Sequence, residues 1–472
     1  MKKIIYLTLA FLLFVTSFVF AQSSQKVKPP NIIFILADDL GYGDVGCYGQ
    51  QKIETPNIDH LASVGLKFTH FYSGSTVCGP ARSAFLTGLH TGHTPVRGNR
   101  SYKPEGQTPL PASVTTFATL LQQNGYATAA FGKWGLGYIT TTGDPNKQGF
   151  DEFYGYNCQT LAHNYYPDHL WNNHERIDLK ENLTGNKIYS ADLIHQQALQ
   201  FIKNNNDKPF FLYLPYTLPH AEVIAPHDSV YYYYINRFKE KPDSVKKMYE
   251  GHALDPYPHA CFAAMVSRLD RYVGEIINAV KEKGIGENTL IIFTSDNGPH
   301  REGGGDPDFF NSNGPYRGIK RDLYEGGIIE PFIAYWPEKI QPGVTDQIAA
   351  LWDMYPTFLE IAGNKTKDKI DGLSLVPTLL KKGKQQQHEY FYWEFHENDG
   401  RQAVRWKNWK AIELEVGKNA DPALELYDLA SDPFEKKNVA EKYPAIVTKM
   451  KVLIKEGHIS SLDWPLLYSE VH

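Results

Sequence analysis

NIIFILADDLGYGD, residues 31–44, is the stretch that decides how this chain folds. Its opening run is apolar without polar alternation, so it reads as a strand buried on both faces. Two aspartates and a glycine-rich turn end it. The same pattern returns in YATAAFGKWG (126–135), FFLYLPYTLPH (210–220) and NTLIIFTSDNGPH (288–300), and EPFIAYWP (330–337) adds a further strand. Helical patterns fall between them. TPNIDHLASVG (55–65) has Thr55 as N-cap and Pro56 in the first turn, and SVTTFATLLQQNG (113–125) closes at Gly125. A long helix is predicted from His259 to Lys283. Apolar strands alternating with amphipathic helices predict an α/β domain on a large, mainly parallel sheet flanked by helices. Ligands of such sheets bind at the carboxyl ends of the strands. Those ends carry Asp38 and Asp39, Lys133, His220, and Asp296 with Asn297.

Beyond residue 380 the character changes. HEYFYWEF, QAVRWKNWKAIEL and ALELYDL read as antiparallel strands, and YPAIVTKMKVLIKEG as a closing helix. The expected organisation is therefore an α/β domain over 30–380 and a small α+β subdomain over 381–472 that contributes to the substrate pocket. Residues 221–258, with YYYY at 231–234, read as an irregular insertion near the strand ends, either a substrate wall or a packed surface loop. At the start, Lys2 and Lys3 precede an apolar run from Ile4 to Phe20, and small Val19 and Ala21 suit cleavage. Residues 1–21 read as a secretory signal peptide, which predicts an exported, periplasmic or secreted protein with no stable membrane insertion after cleavage.

The 42% hydrophobic content is ordinary for a globular core, and the net charge of −5 lacks the basic surplus of a nucleic-acid binder. Four cysteines, Cys47, Cys78, Cys158 and Cys261, are too few for a disulfide framework in a chain this long. One pair among Cys47, Cys158 and Cys261 stays open.

Gathered at one sheet edge, Asp38, Asp39 and Asp296 would repel one another without a cation. With Asn297 they make an all-oxygen donor set, which suits Ca²⁺ or Mg²⁺ rather than zinc. Neighbouring aspartates on a regular strand point to opposite faces, so both reach one ion only where the strand ends.

Cys78-Gly79-Pro80-Ala81-Arg82, followed by SAFLTG, gives the motif C-x-P-x-R. With DDLGYGD, TPNIDHLA, GKWGLG, GFDEFYG, LPH, SDNGPH, YEGG, DGLSLVPTL and ELYDLASDPFE, it makes the chain resemble the formylglycine-dependent sulfatases of the alkaline phosphatase superfamily. The resemblance implies an alkaline phosphatase-like fold and a sulfuric ester hydrolase. It implies that a formylglycine-generating maturation enzyme oxidises Cys78 to Cα-formylglycine (3-oxoalanine). The aldehyde then hydrates, and one hydroxyl attacks sulfur, displacing the alcohol of the ester, to form a covalent sulfo-enzyme. The second hydroxyl then loses its proton and expels sulfate, which restores the aldehyde. By the same resemblance Asp38, Asp39, Asp296, Asn297 and residue 78 hold Ca²⁺, ahead of Mg²⁺. Arg82 steadies the diol, Lys133 and Lys320 bind sulfate, and His220 is the general acid.

The chain departs from the family at two points of interest. Gly135 stands where the family commonly has histidine, in GKWHLG, and Ile329 replaces the arginine of EGGIRVP. The substrate expected is a sulfated glycan, with sulfated galactose or N-acetylgalactosamine as the looser choice. His163, in the aromatic stretch AHNYYPDHLW (162–171), His300, Glu394 and His396 are its expected contacts; a structural polar network is the other reading for each. A formylglycine-dependent phosphodiesterase or phosphonate monoester hydrolase and a catalytically silent glycan-binding relative remain alternatives.

Overall fold

The computed structural model describes residues 28–472 apart from 104, 206–207, 244–247 and 250–251. The expected signal peptide, 1–21, lies outside the described residues. The main sheet is built, in chain order, from β1 (Asn31–Ala37), β2 (Leu66–Tyr72), β3 (Ala127–Lys133), β4 (Glu152–Tyr156), β5 (His169–Asn172), β6 (Glu175–Asp178), β7 (Phe210–Pro215), β8 (Thr289–Ser295), β9 (Ile329–Tyr335), β10 (Gly343–Thr345) and β11 (Ala349–Ala350). Their order is β10-β2-β9-β8-β1-β7-β3-β4-β5-β6, with β11 also on β2. The five central strands, β8-β1-β7-β3-β4, run parallel. EPFIAYWP does form a strand, β9, but it pairs antiparallel with both β8 and β2.

β1 shows why an unbroken apolar run was required. Ile33, Ile35 and Ala37 enter one core, which includes Val266, Leu269 and Val273 of the Pro258–Glu282 helix. Ile32, Phe34 and Leu36 enter the other, with Phe85, Phe117 and Phe358. Every residue of β1 is buried. Each such side chain contributes about 1.5–3 kcal/mol relative to exposure. A polar residue on either face would therefore have no water to meet.

Two local expectations change. Thr55 does precede the Pro56–Val64 helix but does not cap it through its side chain. Its hydroxyl instead accepts from Gly46 N at 2.8 Å and donates to Asp59 at 3.1 Å, fixing the loop after β1. The tyrosine run is not irregular either, because it lies within the Ser229–Phe238 helix. Asp228 caps that helix by accepting from the N–H groups of Val230 and Tyr231. Helical spacing buries Tyr231 and Tyr234 and leaves Tyr232 and Tyr233 exposed. The run is thus part of a surface helix, with two of its four rings packed into the core. The four cysteines are unpaired, so no disulfide joins Cys47, Cys158 and Cys261.

The C-terminal antiparallel sheet comprises β12 (Phe391–Phe395), β13 (Arg401–Trp406), β14 (Trp409–Leu414) and β15 (Leu424–Asp428). One face packs Trp393, Ala403 and Ile412 against Tyr72, Val77 and Trp352 of the main body. The other packs Tyr392, Val404 and Leu426 against Met450, Leu453 and Ile454 of the Pro444–Gly457 helix. A buried ion cluster locks the two bodies. Lys410 lies 2.8 Å from Glu325 and 2.9 Å from Glu435, all three essentially without solvent contact. Burial, with Glu325 close by, pushes the Glu435 carboxyl up to about 7. Removing one member of a buried cluster strands the others without compensation. Lys410→Ala should therefore cost about 3–5 kcal/mol, read as a lowered midpoint in denaturant unfolding. An unchanged midpoint would show that the cluster does not hold the C-terminal sheet in place.

Candidate active site

The site forms where β1, β3, β7 and β8 end. β1 stops at Ala37, and Asp39 adopts a left-handed backbone, φ +61. The break in the strand is what lets consecutive aspartates serve one place. Asp38 N donates to Leu218 O at 3.1 Å, Asp39 N to Asp296 Oδ1 at 3.1 Å, and Asp296 N to Ala37 O at 3.1 Å. The loops after three strands are thereby laced together.

Asp38, Asp39, Asp296 and Asn297 are all fully buried. Three cations answer the three carboxylates. Asp38 Oδ2 lies 2.7 Å from Lys133 Nζ and 3.1 Å from Arg82 Nη2. Asp296 Oδ2 accepts from Arg82 Nη2 at 2.9 Å, and Asp39 Oδ2 from Lys320 Nζ at 2.8 Å. Arg82 also donates to Lys133 O. Burial works against every one of these charges, so the balance of neighbours decides each. Lys320 and His300 bring Asp39 down to about 2 despite burial. Lys133, His220 and Arg82 likewise hold Asp38 below the usual carboxylate range. Asp296 goes the other way, up to about 7, through burial and the repulsion of Asp38. Two oxygens in this set, Asp38 Oδ1 and Asn297 Oδ1, are buried without a hydrogen-bond partner. Unpaired buried oxygens on two members of an oxygen donor set fit a missing cation.

Cys78 opens the Cys78–Thr87 helix, every residue of which is buried. Lys133 Nζ donates to the Cys78 Sγ at 3.5 Å, Asn99 Nδ2 approaches at 3.8 Å, and the thiol donates to Gln159 Oε1 at 3.2 Å. Burial pushes this thiol up from its usual range. Asp38 and Asp296 also approach closely enough for their oxygens and Sγ to share one ion.

His220 faces the same space. Its Nδ1 bonds Ala221 O, which leaves Nε2 toward Lys320 Nζ at 3.3 Å and Asp39 Oδ2 at 3.4 Å. Burial and then the Lys133 charge hold its pKa well below the ordinary value, so the imidazole is neutral.

The four expected substrate contacts part company. His163 stacks on His220 with ring centroids 4.8 Å apart. His300 is buried, its Nε2 3.3 Å from Pro219 O and its Nδ1 accepting from Glu302 N at 3.1 Å. Glu394 is fully enclosed and takes bonds from Arg97 at 2.9 Å, His396 at 3.0 Å and His458 at 2.8 Å. His396 also bridges to Pro465 O at 3.4 Å. Glu394 and His396 therefore form a polar knot within the fold, and His300 braces a loop. Tyr165 and Trp171, in the stretch after His163, are interior: Tyr165 hydroxyl bonds Thr217 O at 2.5 Å, and Trp171 Nε1 donates to Glu105 at 2.8 Å.

Sequence reading missed Asn99, Gln159 and Glu302. Glu302 lies 3.5 Å from Lys320 and pairs with Arg321. Asn99 and Gln159 carry no motif of their own; the one available signal was the glycine at 135, which leaves room beside residue 78.

The sulfatase family profile matches residues 30–364, and the profile described as N-sulphoglucosamine sulphohydrolase, C-terminal, matches 318–458. The chain is 34% identical over 381 residues to N-acetylgalactosamine-6-sulfatase of Rattus norvegicus, covering 75% of this chain and 66% of that one. It is 33% identical over 486 residues to arylsulfatase A of Homo sapiens, covering 92% and 88%. Among solved structures, Ps i-CgsB in complex with k-i-k-neocarrahexaose matches with a TM-score of 0.76 at 30% identity, covering 91% of this chain and 93% of the other. The profile spans the whole set of strand ends that build the site, and this chain belongs to the sulfatase family, a family of sulfuric ester hydrolases.

Proposed function

We propose that this protein removes sulfate from a glycan, at a sulfated galactose or N-acetylgalactosamine unit, outside the cytoplasm. The observation that carries the reaction is the ring of Arg82, Lys133 and Lys320 around residue 78 in a dry site. Preorganised positive charge where a sulfonyl group transfers is what such chemistry requires. The sugar assignment draws support from the N-acetylgalactosamine-6-sulfatase relative and from the oligosaccharide bound by Ps i-CgsB. The export assignment draws on the N-terminal sequence, and no helix among the described residues is long and apolar enough to cross a membrane.

Asp38, Asp39, Asp296, Asn297 and residue 78 would hold Ca²⁺, ahead of Mg²⁺. When bound, the ion supplies charge against the sulfate oxygens and acidity to a coordinated hydroxyl. Cys78, oxidised to formylglycine by the maturation enzyme and hydrated, supplies that hydroxyl as nucleophile. The chain's own residues do the remainder. Arg82 holds Asp38 and Asp296 in place, and Lys133 reaches residue 78 directly. Lys320 and His220 share a hydrogen bond beside the leaving oxygen's expected position. The transferable proton is carried by the Lys320 ammonium, held against the Nε2 lone pair of neutral His220, and the pair can deliver it to a departing alcohol. His163, stacked on His220, is the sugar contact we retain. We also keep the division at 380/381, with 381–472 reaching the pocket: Glu397 bonds Arg321 at 3.2 Å, and Arg321 pairs with Glu302.

Two measurements test this. The tryptic peptide Phe68–Arg82 from protein made in its native host should lose one sulfur and two hydrogens and gain one oxygen at Cys78, by mass spectrometry. An unconverted cysteine there would favour a silent glycan-binding relative. His220→Ala and Lys320→Ala should lower kcat on a sugar sulfate by about 10²–10⁴-fold. They should lower it far less on an aryl sulfate, whose phenolate leaves without a proton. Equal loss on both would remove the acid role.

A further inference from the structure

Gly135 follows β3 in GKWG, the place where family members commonly carry an imidazole. Its backbone has φ +76, and a Cβ there would lie 3.1 Å from both Cγ and Nε2 of Gln159. The space is therefore already filled, by a side chain from the loop after β4. Gln159 is 7% exposed. Its backbone N–H donates to Gln107 Oε1 at 3.0 Å, itself buried, so the loop is anchored. One end of its amide is engaged, with Oε1 taking the bond from residue 78 at 3.2 Å. The other end is not: Nε2 is buried and has no hydrogen-bond partner. A Cβ on Gly79, next to the reacting residue, would come within 3.1 Å of that nitrogen.

A buried N–H₂ left unpaired is costly, and in a binding site the cost is relieved when a ligand brings an acceptor. The surrounding cations, Lys133 and Lys320, select an anionic one. We propose that Gln159 takes the place of the missing imidazole, its Oε1 accepting a hydrogen bond from a hydroxyl on residue 78 and its Nε2 donating to an oxygen of the bound sulfate. This rests on the sulfatase reading above. The side chain thus spans nucleophile and substrate. An amide neither gains nor loses a proton here, so Gln159 aligns the two partners and leaves proton transfer to other groups. The chain has exchanged a titratable neighbour of the nucleophile for a permanently neutral one, supplied from a different loop.

The test separates binding from turnover. In a Cys78→Ala background, which cannot form formylglycine, calorimetry with inorganic sulfate reads the Nε2 contact alone. Gln159→Leu, close in shape, should raise the Kd for sulfate about tenfold or more, the loss expected for a hydrogen bond to a charged group. Gln159→Glu keeps the outline and the acceptor but sets a carboxylate against the anion, so it should weaken sulfate further. On the Cys78 enzyme, with formylglycine content matched by mass spectrometry, Gln159→Leu should lower kcat for 4-methylumbelliferyl sulfate as well as raise KM. Unchanged Kd and kcat in both variants, beside an active parent, would overturn the assignment of Gln159 alone. A fully converted parent that releases no sulfate from aryl or sugar esters would overturn the sulfatase reading beneath it.

Discussion

Three aspartates that cannot share a dry space unaided are the constraint on which this structure turns. Asp38, Asp39 and Asp296 are brought together because β1 and β8 are parallel neighbours whose polar ends coincide. Burial and then the repulsion of Asp38 push Asp296 up to about 7, while Lys320 and His300 draw Asp39 down to about 2. Arg82, Lys133 and Lys320 offset that repulsion, and Arg82 and Lys133 do so from elements that also carry residue 78 and its approach. The carboxylates thus gather a ring of positive charge at the strand ends, beside residue 78.

That ring then serves the chemistry. A cation in the oxygen set would take over part of the neutralisation of Asp38 and Asp39, leaving Lys133 and Lys320 able to turn toward a sulfate. The unpaired Asp38 Oδ1, Asn297 Oδ1 and Gln159 Nε2 fit the same picture. Two acceptors suit a cation and one donor suits an anion. Orphan polar atoms of opposite kind in one set of strand-end loops suit a site for a metal and an oxyanion.

Much of this was legible in sequence for a plain reason. A strand buried on both faces must be apolar throughout, so the polar residues that end each run announce the sheet's carboxyl edge. Asp38, Asp39, Lys133, His220, Asp296 and Asn297 all came from that rule, and Cys78 with Arg82 from a motif. The substrate contacts were less legible because histidine and glutamate look the same whether they face a ligand or a neighbour. Glu394 and His396 proved to answer Arg97 and His458 across distant segments. The tyrosine run misled because its helical spacing, burying Tyr231 and Tyr234, is hidden when every position is the same residue. Gln159 escaped because its meaning depends on a void left by Gly135, and a void has no letter in the sequence.

The most direct test of the account is the release of inorganic sulfate from single-position sulfates of galactose and N-acetylgalactosamine and from longer sulfated galactans, assayed with Ca²⁺ and with a chelator. Cys78→Ala serves as the blank. The account predicts release from at least one of these glycans, lost with the chelator and lost with Cys78→Ala. Formylglycine-bearing enzyme that leaves every sulfate ester intact while cleaving phosphate or phosphonate esters would contradict it.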